Sequence, residues 1–169
     1  MPRLSRIFFT VITLLLISAP VLRAQEVKNG LTWYTDINKV YELSNKSNKP
    51  IFAFFTGSDW CGWCHRLERN VFEKEGFQDW AKKNVILLEL DFPRNKQLPE
   101  TLVQQNGSLQ QFFKVQGYPT IWMFTMDKDE ATKKFNIAAL GSLGYPQSAP
   151  GKEAEAFLAS AQSILKSKK

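Results

Sequence analysis

Cys61 and Cys64, the only two cysteines of the chain, are separated by two residues, and the only histidine, His65, follows directly in Trp60-Cys61-Gly62-Trp63-Cys64-His65. Such spacing is close to one helical turn, so on a helix both sulfurs share a face. A cysteine in the first turn of a helix is acidified by the positive end of the dipole and by unpaired backbone N–H groups. It can then attack a disulfide, and a second thiol one turn on can attack the mixed disulfide and release the product. Cys61 is accordingly read as the attacking thiolate and Cys64 as the more buried resolving thiol. Trp60 shields the sulfur with an apolar surface, and Trp63 and His65 are candidate modulators of thiolate stability or proton movement. A bond across so short a loop removes little chain entropy, which suits the pair to switching rather than to stapling a fold. The redox group is then the Cys61–Cys64 disulfide itself, with no cofactor required.

The same residues match two other patterns. Cys61-x-x-Cys64-His65 also has the spacing of c-type haem attachment, with Met123 or Met126 as a second axial ligand. Haem, however, leaves unexplained why the cysteines follow a buried strand and why both methionines fall on or beside another. For zinc, Cys61, Cys64 and His65 supply at most three adjacent ligands, and no second Cys/His cluster completes a closed tetrahedral site. No metal is expected. A phosphate-binding glycine loop is missing, and no histidine remains for a Ser-His-Asp arrangement.

The elements that must hold the motif are legible around it. Ile51-Phe52-Ala53-Phe54-Phe55 reads as a buried strand running into the motif, and Leu67, Val71 and Phe72 continue the face of Cys64 along a helix. Leu31 to Tyr34 is a first strand, and Asp36 caps a helix whose inner face is Ile37, Val40, Tyr41 and Leu43. Beyond the cysteine helix, Glu73 to Gly76 interrupts the pattern before a further short helix over Phe77 to Lys83. Val85 to Asp91 is short and mostly apolar, as a central strand is. Pro93 to Pro99 is a polar connector, followed by a helix over Thr101 to Val115 with Leu102, Leu109, Phe112 and Phe113 inward, which Asn106-Gly107 is placed to split. Ile121 to Thr125 is a strand, Asp127 to Asp129 a turn, and Lys133 to Leu140 the partner strand. Gly141 to Gly151 reads as a loop before a last helix with Ala154, Phe157, Leu158, Ala161, Ile164 and Leu165 on one stripe. Trp33, Phe52, Phe54, Phe72, Trp80, Phe112 and Trp122 read as core. This order predicts an α/β domain, a mixed sheet flanked by helices.

Composition bounds the rest. The 169 residues carry 22 Lys and Arg against 16 Asp and Glu, a net charge of +6. Arg3, Arg6 and Arg23 lie in an N-terminal segment without acids, which leaves about +3 for the remainder, with no dense basic run of the kind that grips nucleic acid. Met1 to Ala24 reads as a secretory signal: Arg3 and Arg6 precede an apolar stretch too short to span a bilayer, and Ala24 precedes the cut. Residues 25–169 then form one exported domain, periplasmic or secreted, without internal repeat or linker, and a monomer is expected. Asn45-Lys46-Ser47 and Asn106-Gly107-Ser108 match the glycosylation sequon.

Trp60-Cys61-Gly62-Trp63-Cys64 after a buried strand, together with Gly117-Tyr118-Pro119-Thr120 before a later one, resembles the thioredoxin superfamily. The likeness runs from about Asn29 to the C-terminus and is greatest to the exported thioredoxin-like branch with Phe-Thr-Gly-Ser-Asp-Trp-Cys-Gly-Trp-Cys signatures. The resemblance implies a thioredoxin fold and a thiol–disulfide oxidoreductase exchanging disulfides with protein substrates and recycled by a separate redox partner. It also implies a cis Tyr118–Pro119 bond facing the cysteines, with Trp60, Tyr118 and Pro119 lining the substrate edge. A thioredoxin-fold module that only binds peptide is the non-catalytic alternative. Two positions depart from thioredoxins proper: Phe55 stands where they carry a buried carboxylate, and Gly62-Trp63 replaces Gly-Pro. Glu89 and Asp91 on the next strand are the candidates to supply the missing carboxylate.

Overall fold

The structure, a computed structural model, describes residues 25–129, 131–132 and 134–167. The segment read as a secretory signal, residues 1–24, lies outside them. Strands β1 (Gln25–Lys28) and β2 (Leu31–Tyr34) form a hairpin, and helix α1 (Ile37–Ser47) leads to β3 (Ile51–Thr56). The motif opens α2 (Gly62–Leu67), which runs into a π-helical turn (Glu68–Phe72), and α3 (Glu75–Asn84) follows. Strand β4 (Ile86–Asp91), helix α4 (Glu100–Phe112), strands β5 (Thr120–Lys128) and β6 (Phe135–Leu143) and helix α5 (Glu153–Lys166) complete the chain. The six strands make one mixed sheet in the order β1-β2-β4-β3-β5-β6. β2, β4 and β3 are parallel, while β5 runs antiparallel to β3 and β6 antiparallel to β5. Among the described residues no helix is long and apolar enough to cross a membrane.

Strand β3 is buried along its whole length, and side-chain alternation sends its residues into two cores. Phe52 and Phe54 join Trp33, Phe72, Phe77 and Phe157 beneath α2, α3 and α5, in the cluster that also holds both cysteines. Ile51, Ala53 and Phe55 face the other way, onto Val40 of α1 and Leu109 and Phe113 at the end of α4. Phe52 meets five aromatic rings, those of Trp33, Phe72, Phe77, Trp80 and Phe157, at centroid distances from 5.8 to 6.2 Å. Each fully buried phenylalanine contributes roughly 1.5–3 kcal/mol by leaving water. This apolar slab is the rigid floor on which the cysteine turn rests.

Several local expectations are corrected. Strand β1 is an addition: Asn29 and Gly30 have φ of +50° and +72°, the paired left-handed conformation of a two-residue hairpin, which Asn-Gly favours. In α1 the inner face includes Ser44, whose hydroxyl donates to the Lys49 carbonyl, while Leu43 is only half-buried. Asn106-Gly107 does not split α4; Asn106 is buried and donates from Nδ2 to the Asp91 carbonyl at 2.9 Å. That burial also closes the second sequon to a glycan. Phe112 is 54% exposed, because the turn presents Phe113 to Trp122 and Phe124 instead. Strand β5 runs on through Lys128, so the turn starts at Asp129, which accepts the Ala131 and Thr132 N–H groups. Strand β6 extends through Gly141, assigned above to a loop. A β-carbon there would stand 3.0 Å from Ile164 Cγ1, so glycine lets α5 approach the sheet.

Candidate active site

Gly57 to Cys61 form a tight turn between β3 and α2. The Cys61 N–H donates to the Gly57 carbonyl at 2.8 Å, and Cys61 occupies the N-cap of α2. Its sulfur accepts the Cys64 backbone N–H at 3.2 Å, the kind of contact that stabilises a thiolate. Cys61 and Cys64 are joined in a disulfide with Cα atoms 5.2 Å apart. Cys61 is 5% exposed and Cys64 fully buried.

Two carboxylates fasten this turn to the next strand and the loop beyond it. Asp91, at the end of β4, accepts the Ser58 N–H at 2.8 Å and the Ser58 hydroxyl at 2.7 Å, and pairs with Lys96 at 2.8 Å. Asp59 accepts the backbone N–H groups of Arg94 and Asn95, the shorter at 2.6 Å. The Arg94 N–H foremost holds the Asp59 carboxyl below the usual range; desolvation opposes it, and the Asn95 N–H adds to the lowering. His65 Nε2–H donates to the Ser58 carbonyl at 2.9 Å, tying the helix back to the turn. That bond occupies the nitrogen that would face a haem iron. Met123 and Met126 are buried in two different cores, and the Cys61 and Cys64 sulfurs are bonded to each other.

The residues expected at the substrate edge lie apart from Trp63, the candidate modulator. Trp60, Tyr118 and Pro119 meet: the Tyr118–Pro119 bond is cis, and Tyr118 lies edge-on to Trp60 at 5.8 Å and stacks on Phe92 at 5.2 Å. Its phenol accepts a hydrogen bond from Gln110 at 2.7 Å, and burial, reinforced by the charge of Asp91, pushes its pKa up. Trp60 donates from Nε1 to the Phe92 carbonyl at 2.8 Å, and its indole covers Gly57, where a β-carbon would collide with it. Trp63 instead points away, 55% exposed, against Tyr145 in the loop after β6.

Neither candidate replacement carboxylate bonds to a sulfur among the described residues. Phe55, at the position in question, packs on Phe92 and Phe113 in the opposite core. Asp91 is committed to Ser58 and Lys96, and Glu89 pairs with Lys28 at 2.7 Å. Glu89 lines a cavity of about 420 Å³ with Lys28, Trp33, Phe54 and Glu68. Burial lifts the Glu68 carboxyl above its ordinary value, Glu89 and Glu73 add to the rise, and Lys28 and His65 oppose it. For Lys28, burial pulls its pKa down but the facing Glu89, Glu26 and Glu68 outweigh it, so the net shift is upward.

The reading of the sequence missed the anchoring role of Asp91, the close approach at Gly57 and the contact of Tyr145. An acid ending the apolar run Ile86 to Leu90 was a signal for the first; nothing local announces Tyr145.

Comparison with known proteins agrees with this fold. A family model described as thioredoxin-like matches residues 32–125. The chain is 38% identical over 80 residues to the "Disulfide bond reductase DsbH" of Chlamydia pneumoniae, covering 47% of this chain and 48% of that one. It is 26% identical over 133 residues to the "Thioredoxin-related protein DsbJ" of the same organism, covering 78% and 36%. The chain thus spans about half or less of the length of these curated relatives. A solved structure titled "DsbH Oxidoreductase" superposes with a TM-score of 0.66 at 31% identity, covering 80% of this chain and 85% of that one. A thioredoxin from Thermus thermophilus shares the fold, with a TM-score of 0.55 at 13% identity over 80% and 87% of the two chains.

Proposed function

The chain belongs to the thioredoxin-like family, and from that premise we propose that residues 25–169 are an exported, monomeric thiol–disulfide oxidoreductase acting on protein disulfides. The observation that carries this reading is the Cys61–Cys64 pair itself. It closes at the mouth of a short helix, with both cysteines buried and the Cys61 sulfur receiving a backbone N–H. In the reductive direction the Cys61 thiolate attacks a client disulfide, forming a mixed disulfide and expelling one client thiolate, which takes a proton. Cys64, deprotonated, attacks the Cys61 sulfur and expels the second client thiolate. Two electrons have passed to the client, and Cys61–Cys64 is left as a disulfide that a separate dithiol donor must reduce. Tyr118 and Pro119 line the edge along which the client segment pairs. Trp60 covers the sulfur, and Trp63 and His65 modulate it. The reductive direction is favoured by the name of the relative sharing 38% identity. Export rests on the N-terminal segment alone.

Cys61→Ser is expected to abolish disulfide turnover, and Cys64→Ser to accumulate mixed disulfides with clients, visible on non-reducing gels. Multiple turnovers in either variant would sink the mechanism. Equilibration of the protein in glutathione buffers should return a potential near ~−270 mV for a reductase; a value between ~−180 and ~−120 mV would reverse the proposed direction.

A further inference from the structure

The tryptophans on either side of Cys61 each carry a guanidinium on the ring. Arg94 Cζ lies 3.8 Å from the Trp60 ring centroid, and Arg66 Cζ lies 5.0 Å from that of Trp63. Both rings are themselves fixed, Trp60 by its bond to the Phe92 carbonyl and Trp63 by Tyr145, whose hydroxyl accepts from Asn70 at 2.8 Å. The arginines therefore lie on different sides of the cysteine turn, Arg94 with Trp60 at the Tyr118 edge and Arg66 with Trp63 beside Tyr145. Arg94 is on the side of the loop after β4. Arg66 is on a groove of about 500 Å³ between α2 and the loop after β6.

Both side chains are exposed, and among the described residues neither guanidinium has a carboxylate within ion-pair distance. The acids nearby are engaged or too far away. Asp59 spends its oxygens on the backbone of Arg94 and Asn95, and Asp91 on Ser58 and Lys96. Glu153 shares the groove with Arg66 without pairing with it. Two oriented, unneutralised cations, each stacked on a tryptophan of the Trp60-Cys61-Gly62-Trp63 stretch, form a site for anions.

Resting on the reading of Cys61–Cys64 as a disulfide-exchange pair, we propose that Arg66 and Arg94 select client segments that carry carboxylates on both sides of the reacting cysteine. Stacking holds each planar fork in place, so less side-chain freedom is lost on pairing than for a free arginine. The exposed ends keep each contact modest and salt-sensitive.

The test uses two synthetic peptide disulfides, identical except for glutamate or lysine flanking the cysteine, reduced by the pre-reduced full chain in a stopped-flow fluorimeter. At low salt the glutamate peptide is expected to react about 5–10-fold faster, the product of two exposed ion pairs. That ratio should fall below about 2 in R66Q/R94Q, remain largely intact in R66K/R94K, and shrink with added salt. Equal rates for the wild-type protein, or a ratio that survives R66Q/R94Q and so reflects net charge alone, overturn this inference and leave the exchange chemistry standing. Failure to reduce either peptide overturns the disulfide-exchange reading and this inference with it.

Discussion

Replacing Asp91 by alanine probes how the cysteine turn is held. The carboxylate accepts the Ser58 N–H and hydroxyl at 2.8 and 2.7 Å and pairs with Lys96 at 2.8 Å. Hydrogen bonds to a charged acceptor are worth ~1.5–3 kcal/mol each. The Lys96 arm adds little, since that side chain is 54% exposed and exposed ion pairs contribute under ~1 kcal/mol. Ser58 is half-buried, so water recovers part of the loss, and a net destabilisation of about 3 kcal/mol is expected. That is a substantial share of the ~5–15 kcal/mol that hold a domain together. Guanidinium unfolding of the oxidised protein reads it directly. Ser58→Ala removes only the hydroxyl bond and should cost about 1 kcal/mol, and the double variant should cost less than the sum because the two residues share that bond. A loss under ~0.5 kcal/mol for Asp91→Ala, or strict additivity with Ser58→Ala, would refute the view that this carboxylate anchors the turn.

Two further outcomes follow from the same contacts. Glu68 holds its proton more tightly folded than unfolded, so its contribution is complete below the ordinary glutamate pKa of ~4.3 and is lost as pH rises through the raised folded value. Glu68→Gln should therefore match the wild-type protein at low pH and become progressively more stable than it across that window; a difference independent of pH would remove this account. Gly57→Ala places a β-carbon against the Trp60 indole, which must swing away and give up its bond to Phe92. A cost of about 1–3 kcal/mol and altered indole fluorescence are expected, and an unchanged spectrum with unchanged stability would count against the close approach.

The chemistry of this chain was legible in one short stretch, because helical periodicity is local. A Cys-x-x-Cys after an apolar run places two sulfurs on one turn whatever surrounds them, and the faces of β3, β4 and α5 follow from side-chain alternation and the 3.6-residue repeat. Where those rules failed, distant contacts outweighed local preference. Asn106-Gly107 stays helical because the Asn106 amide finds a carbonyl at the end of β4. Gly141 stays in a strand because Ile164 needs the space. Phe112 faces solvent because one position along the helix, Phe113, takes the place against Trp122. Only the tertiary structure decided what surrounds the sulfurs. It brought Asp91 to Ser58, Arg94 over Trp60, and Tyr145 under Trp63. These are meetings of residues remote in sequence, and they are set by strand order and loop path, which no window along the chain contains.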